Sequence, residues 1–496
     1  LKAALNLDVR VRHDVTAVNT EARTVTVSTD AGTEQISYDA LILSPGALAI
    51  RPPLPGIDSP RVHTLRTVED ATTLRGLVTA GAGGGFIGVE AAEALRLQGL
   101  ETSVVELSPH VLPPFESELA HLITEELTGL GIAVHDGVGA EAIEPGVGHD
   151  TVVLADGTRI EADLIVLSVG VRPDTEVFGA AGITLERGAI VVDDHGRTSA
   201  PQVWAVGDAV LSTCAVTGIR RPFALAGPAN RAGRLIADDI FTPEIARPMP
   251  RPLGTAIVRI GELTAASTGV NKATLQAAGI AHHTLHLHPN QHAGYFPGAA
   301  QMHLIVHFRE GDGALLGAQA VGPDGVDKRI DVLATALRAG MAIDDLIDLD
   351  LAYSPPYGMA KDPVNLAGME GENVRNGTIK LWYAEDVDDV LANALVLDTR
   401  SRSEFASGHL PGALNIPHTE LRERLEEVQD AAAGRPTKIM CASGMRSYIA
   451  FRVLAQHGFD ASTLSGGILT MRAALGDRAV TLLQIDPELE PELERV

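Results

Sequence analysis

Cys441 lies in the run Ile439-Met440-Cys441-Ala442-Ser443-Gly444-Met445-Arg446-Ser447-Tyr448. The apolar pair before it reads as a strand end, and the residues from Ser447 onward read as the opening of a helix. A thiol in a tight loop at a helix N-terminus meets backbone N–H donors and the positive end of the helix dipole, which lower its pKa. Such a loop suits a thiolate or a persulfide anion, and Arg446 adds positive charge. A purely structural core cysteine would need neither Gly444 nor Arg446. The second cysteine of the chain, Cys214, is distant and completes no metal-type spacing.

A second constellation is Gly83-Gly84-Gly85-Phe86-Ile87-Gly88, a G-x-G-x-x-G that opens a helix. Glycines there let backbone N–H groups approach a pyrophosphate at the helix end. Glu106 closes the strand Ser103-Val104-Val105 some twenty residues on, where an acid would accept from adenosine ribose hydroxyls. A carboxylate there repels a 2′-phosphate, and Leu107-Ser108-Pro109 supplies no arginine. The pattern therefore predicts NADH in preference to NADPH. The stretch 76–82 before these glycines is Gly-broken and poor in β-branched residues, and reads as a shortened or absent strand.

A third is Val203-Trp204-Ala205-Val206-Gly207-Asp208-Ala209, a small-residue strand ending in Gly-Asp. Gly207 allows close approach, and Asp208 can accept from a ribityl hydroxyl. Ser44-Pro45-Gly46 and Gly170-Val171-Arg172-Pro173 are strand-to-turn signals of similar kind.

The elements that must position these residues alternate strand and helix to about 245, the pattern of α/β layers on parallel sheet. Helices are predicted over 66–78 and from Val89 to Gln98, and later over 419–431 and 446–457. Pro248-Met249-Pro250-Arg251-Pro252 reads as a linker before a block over 253–370. The chain has 496 residues, 45% of them hydrophobic, which supports several packed cores. With 39 Lys and Arg against 64 Asp and Glu, the net charge of −25 excludes nucleic acid as a main partner. No apolar run reaches the roughly 18 residues of a membrane helix. Two cysteines fit a reducing cytoplasm, so a cytoplasmic location and no membrane partner are expected. His282, His283, His286, His288, His292, His303 and His307 crowd one region. No acid or cysteine joins them in sequence, so they read as interface or surface histidines, with no metal expected. The charges of 420–427 read as a solvated helix face, and Trp204 and Phe86 as packing residues.

Residues 1–370 resemble the FAD- and NAD(P)-dependent pyridine nucleotide–disulfide oxidoreductases, in the coenzyme A–disulfide reductase and NADH oxidase branch. The matching stretches are Leu41 to Ala47, Gly84 to Glu90, Gly170 to Asp174, Ala205 to Ala209 and Leu225 to Arg231, the last containing Ala226. Gly294 to Ala299, Asp327 to Leu333, Leu351 to Tyr357 and Lys361 to Asn365 resemble that branch's dimerisation domain. Around Cys441, the stretches Asp398-Thr399-Arg400, Glu404-Phe405, Gly408 to Ala413, Asn415-Ile416-Pro417 and Leu464 to Gly467 resemble a rhodanese domain.

The resemblance implies an α/β fold with FAD- and NAD(P)-binding Rossmann-like domains, an α+β dimerisation domain and a C-terminal α/β rhodanese domain. The expected bounds are 1–71 with 179–246 for FAD, 72–178 for NAD, 253–370 for dimerisation and 375–480 for the rhodanese. It places Asp208, Gly207, Ser44, Pro45, Gly46 and the backbone of Val15 beside FAD. It places Gly83, Gly85, Phe86, Gly88, Glu106 and Gly170 on NADH, with Ile87 and Glu90 near the nicotinamide. Ala226 falls among the cofactor contacts, and Tyr353 or Tyr357 would reach across a homodimer. Cys441 would be the sulfur acceptor, cradled by the loop backbone and Arg446. Family members also carry an earlier G-x-G-x-x-G and a redox cysteine, which the residues before Val15 lack, so the chain reads as an N-terminal truncation. The expected activity is NAD(P)H-dependent reduction of low-molecular-weight disulfides, persulfides or polysulfides, with coenzyme A derivatives among the candidates. Alternatives are a sulfurtransferase on a degenerate nucleotide-binding scaffold and an NADH oxidase.

Overall fold

The structure, a computed structural model, describes residues 2–77, 82–83 and 86–485. It forms two compact units. The first comprises Leu1–Pro52, Thr64–Thr73 and Leu167–Gly254. Its β-branched runs pair as an antiparallel meander of Asp14–Asn19, Thr24–Thr29 and Gly32–Ser37, with a bulge between Val15 and Ala17. Leu41–Leu43 and Val203–Ala205 pair in parallel, and Ala47–Ala49 pairs antiparallel with Val171–Pro173. Val18, Leu43, Phe178, Ile190, Val203 and Ala205 share one core. Helix Ala226–Phe241 closes over Trp204 through Ile236. The Trp204 indole N–H donates to buried Asp239 (2.8 Å), which also takes a fork from Arg197. Trp204 is thus a packing residue, as its sequence context predicts.

The second unit comprises Pro53–His63, Leu74–Val166 and Thr255–Val496. It begins with a parallel sheet in the order Ala82–Gly83, Thr102–Val105, Ile132–His135. The strand before the helix therefore exists, at two residues within the described part, while 78–81 lie outside it. The following helix spans Phe86–Leu97, three residues earlier than the sequence pattern places it. Gly88, Val89 and Ala92 are buried on this helix, and small side chains there let it lie close on the sheet.

A five-stranded antiparallel sheet follows, in the order Ala256–Ile260, Leu263–Gly269, Leu315–Gly322, His303–Arg309, His282–Leu287. Leu315–Gly322 is buried at every residue, which its run of small and apolar side chains permits. Helices Val326–Ala339 and Pro363–Arg375 pack on this sheet and are tied by a buried Arg329–Asp362 pair. The last part is a parallel sheet in the order Leu381–Trp382, Ala461–Leu464, Thr437–Met440, Leu395–Asp398, Leu414–Asn415. Separate apolar clusters cover its two faces, one around Leu397, Ile439 and Phe451, the other around Val396, Met440 and Met471. The helix expected over 419–431 is broken, with a 3-10 turn at Leu421–Glu423 and a helix at Leu425–Ala432. Arg424 leaves helical geometry between them.

The histidine-rich strand needs correction. His286, His292 and His307 are buried, and none of these three is a surface residue. His286 bonds Ser465 Oγ (2.8 Å) on one side and Glu118 Oε1 (2.7 Å) on the other. His307 bonds Thr284 and Glu116. Burial would push the Glu118 carboxyl up, but the hydrogen bond and charge of His286 outweigh it and hold it at about 2. His288 contacts His303 and Thr470 (2.8 Å each). Burial, with His303 and His286 alongside, holds its pKa down at about 3. Acids do join these histidines, from helix Ser117–Gly129 and its N-cap Glu116, a juxtaposition invisible in local sequence. Among the described residues no set of three such side chains converges as metal ligands, and no helix is long and apolar enough to cross a membrane.

Candidate functional site

The Cys441 loop leaves the buried strand Thr437–Met440 and enters helix Met445–Gln456. Gly444 caps that helix at φ +107°, a conformation L side chains rarely adopt. This turn directs the Gly444 N–H at Cys441 Sγ (3.1 Å). Ser447 Oγ lies 3.4 Å from the sulfur and donates to the Gly444 carbonyl (2.9 Å), fixing the loop. Below the loop, Ile468 N–H and Leu469 N–H donate to the carbonyls of Cys441 and Ala442. Gly467 makes that approach possible, because a Cβ there would stand 2.5 Å from the Ala442 oxygen. The arrangement holds a sulfur anion against a helix N-terminus, where backbone N–H groups favour negative charge.

Arg446 forks onto Glu404 at 2.7 Å through both terminal nitrogens. Those hydrogen bonds outweigh burial and hold the Glu404 carboxyl at about 2. In turn Glu404, first among its neighbours, raises the Arg446 pKa. Glu404 is itself fixed by a capping box with Ser401 at the start of helix Arg402–Ala406. Sequence reading paired Arg446 with the sulfur and did not pair it with Glu404. The Ser401-x-x-Glu404 spacing was the available signal.

In the first unit, the parallel strands Leu41–Leu43 and Val203–Ala205 end side by side. Their carboxyl ends carry Ser44-Pro45-Gly46 and Gly207-Asp208, the place where open α/β sheets bind ligands. A Cβ at Gly207 would lie 3.9 Å from Ser44 Oγ and 3.8 Å from Ala229, so three segments meet there. Ala226 opens helix Ala226–Phe241, whose N-cap Leu225 offers no side-chain acceptor to the first N–H groups. Arg66 donates to Asp208 Oδ2 at 3.0 Å. Thr67 and Asp70 form a reciprocal cap one residue on, which fixes where Arg66 begins. Arg66 was not foreseen; the Thr67-x-x-Asp70 pattern marks it. Gly170 lies in this same unit, its carbonyl accepting from Ile50 N–H (3.0 Å), beside the Ser44–Gly46 turn. Val15 is exposed at the meander's bulge.

The residues fit a flavin dinucleotide. A carboxylate acceptor, a glycine at φ +84° and an uncapped helix N-terminus converge at two strand ends. They also fit a nicotinamide dinucleotide in the second unit. There strand Ala82–Gly83 leads to the N-terminus of Phe86–Leu97, and Glu106 ends the neighbouring strand. Glu106 Oε1 accepts from Ser108 N–H (2.8 Å), which turns the carboxylate back over the strand end. Ile87 and Glu90 are exposed on the helix and Gly88 is buried, while Phe86 packs on Phe115. Gly85 lies outside the described residues, and of Gly83 the backbone strand is described.

Tyr353 and Tyr357 are exposed on the segment after Leu351. Tyr353 and Tyr295 meet through their hydroxyls (3.2 Å), and that hydrogen bond raises the Tyr353 pKa. Lys328 Nζ holds the segment through the carbonyls of Ala352 and Tyr357. Cys214 is buried.

Three family models match the chain. Pyridine nucleotide-disulphide oxidoreductase covers residues 2–233, its dimerisation domain 255–363, and a rhodanese-like domain 382–474. The coenzyme A disulfide reductase of Staphylococcus haemolyticus is 31% identical over 385 residues, 75% of this chain and 85% of that protein. The solved structure of reduced Bacillus anthracis CoADR-RHD is similar at 36% identity and TM-score 0.93, over 96% of this chain and 87% of that one. A NAD-dependent persulfide reductase from A. fulgidus is similar at 34% identity and TM-score 0.88, over 95% and 86%.

Proposed function

Because the chain belongs to the pyridine nucleotide–disulphide oxidoreductase family and carries a rhodanese-like domain, we propose that it is a flavin-dependent NAD(P)H reductase of low-molecular-weight disulfides and persulfides, with Cys441 as a sulfur carrier. The similarity to a coenzyme A disulfide reductase and to a persulfide reductase supports this substrate class, with coenzyme A derivatives included. Its reaction consumes one NAD(P)H and one proton. A disulfide yields two thiols, and a persulfide yields one thiol and hydrogen sulfide.

FAD, when bound, supplies the two-electron chemistry between nicotinamide and sulfur. The chain's own residues position and polarise. Asp208 accepts from hydroxyls of the ribityl chain, Gly207 and Gly46 leave room for close approach, and the first turn of Ala226–Phe241 offers N–H donors. Phe86 and Gly88, in the first turn of helix Phe86–Leu97, and Gly83 before them would meet a pyrophosphate at the helix end. Glu106 accepts from ribose hydroxyls and repels a 2′-phosphate, which favours NADH. Tyr353 and Tyr357 are offered to a second copy in a homodimer. The observation that carries the sulfur half is the Gly444 N–H on Cys441 Sγ at 3.1 Å, at the start of a helix.

Purified protein reconstituted with FAD should oxidise NADH faster than NADPH when given coenzyme A disulfide or an organic persulfide. Cys441→Ala should abolish loading of sulfur onto the rhodanese part. Absence of flavin binding, or sulfur loading that survives Cys441→Ala, would overturn the reading.

A further inference from the structure

The Cys441 loop has one charged side chain between residues 441 and 446, and it is Arg446. That charge is already spent on Glu404 through a two-bond fork at 2.7 Å. Deeper in the domain, Arg400 is likewise forked onto buried Asp398. The sulfur therefore faces an N–H dipole and an Arg446 charge that Glu404 offsets. Met445 and Ile449, one helical turn apart, are exposed at the helix that follows the loop. A site whose loop cation is offset by a carboxylate tolerates one negative charge at the reacting atom and handles two poorly.

We infer that Glu404 is a specificity-determining residue: by neutralising Arg446 it restricts the Cys441 loop to organic persulfides and excludes dianionic donors such as thiosulfate. This inference rests on the sulfur-carrier reading above. In the step itself the Cys441 thiolate attacks the terminal sulfur of R–S–SH. A Cys441 S–S bond forms, the donor S–S bond breaks, and the electron pair leaves on R–S⁻. No outside oxidant or reductant is consumed. With thiosulfate the same attack would bring a sulfonate and a second negative charge onto the loop, and the electron pair would leave on sulfite, itself a dianion.

The test loads the full chain with hydroxyethyl persulfide, generated in place, or with thiosulfate, and follows addition of one sulfur atom to Cys441 by mass spectrometry. Wild type should load from the persulfide at least about tenfold more efficiently than from thiosulfate. Glu404→Gln keeps the capping-box amide and should raise the thiosulfate-to-persulfide ratio about tenfold by lowering KM for thiosulfate. Ala442→Arg, which adds a cation at a half-exposed loop position, should move the ratio the same way. A purely structural role for Glu404 would depress both donors together, and that result overturns the inference, as does a wild type that uses both donors equally well. If neither donor loads Cys441 in any variant, the sulfur-carrier reading falls as well.

Discussion

The Cys441 cradle and the Asp208 crevice are built by opposite means. Among the described residues, the hydrogen-bond partners of the sulfur come from the short run between Cys441 and Ser447. That run sits on a parallel sheet buried on both faces, with Gly467 and its helix pressed against it from beneath. Asp208 instead depends on residues 44–46, 66, 207 and 226–229, brought together from four segments. The sheets there pair two strands each, and Ile42 and Leu48 are exposed at 45% and 42%. The cradle is thus ordered before any substrate arrives, whereas the crevice has most to gain from its ligand.

The sharpest way to break that comparison is Gly467→Ala. Gly467 has φ +65°, and its added Cβ would meet three backbone atoms of Cys441 and Ala442 at 2.5–2.6 Å. Backbone cannot swing aside as a side chain can. The variant should lose at least about 3 kcal/mol of stability and most of its sulfur loading. Denaturant unfolding together with the loading assay checks it, and a cost under about 1 kcal/mol would mean the cradle is not preorganised.

A second probe uses pH. His288 is held neutral in the folded protein to about pH 3, while in the unfolded chain a histidine takes its proton near 6.5. The unfolded state therefore binds the proton first as pH falls. Stability from this site is complete above about 6.5 and drains away toward pH 3, at up to about 1.4 kcal/mol per pH unit. His288→Gln removes the titration and can keep a hydrogen bond to Thr470 on the helix that supports the cradle. Unfolding midpoints measured from pH 7 to pH 4 should fall less steeply for the variant than for wild type. Parallel slopes would remove His288 as the cause.

How much of this was legible from sequence follows the same division. The cradle was readable because strand, loop, glycine and helix are consecutive, and short-range patterns record such order. The strand ends at Ser44 and Asp208 were readable as turn signals, yet their pairing is a long-range contact that no local period encodes. Arg66 and Glu404 escaped because each is defined by its partner, Asp208 and Arg446, far along the chain. The partners of His286 and His307, read as interface or surface residues, escaped for the same reason: Glu118 and Glu116 lie more than 150 residues away. Helix 419–431 read as one helix because its charges keep the period, and the break at Arg424 lies in its backbone angles.

On the crevice side, Asp208→Asn keeps the shape and removes the charge. It should weaken FAD binding about tenfold, or roughly 1.4 kcal/mol, since an ionised acceptor bonds a hydroxyl more strongly than an amide does. It also leaves Arg66 without its carboxylate. A flavin titration followed by fluorescence reads the change. If FAD raises the melting temperature of wild type and not of the variant, the crevice owes its order to the ligand. Equal shifts would place the flavin's anchor elsewhere.

The smallest effect is the most discriminating. Gly207→Ala also puts a side chain at positive φ, here +84°. Its backbone penalty is therefore of the same kind as at Gly467, about 1–2 kcal/mol. The surroundings differ: the new Cβ would meet only Ala229 Cβ at 3.8 Å and Ser44 Oγ at 3.9 Å, ordinary contacts. Subtracting one variant from the other cancels the torsional cost and leaves the packing cost of the cradle alone. Gly207→Ala should unfold within about 1–2 kcal/mol of wild type. A loss as large as that of Gly467→Ala would mean the crevice is as tightly filled as the cradle, and the contrast between a preformed sulfur site and an open flavin site would fail.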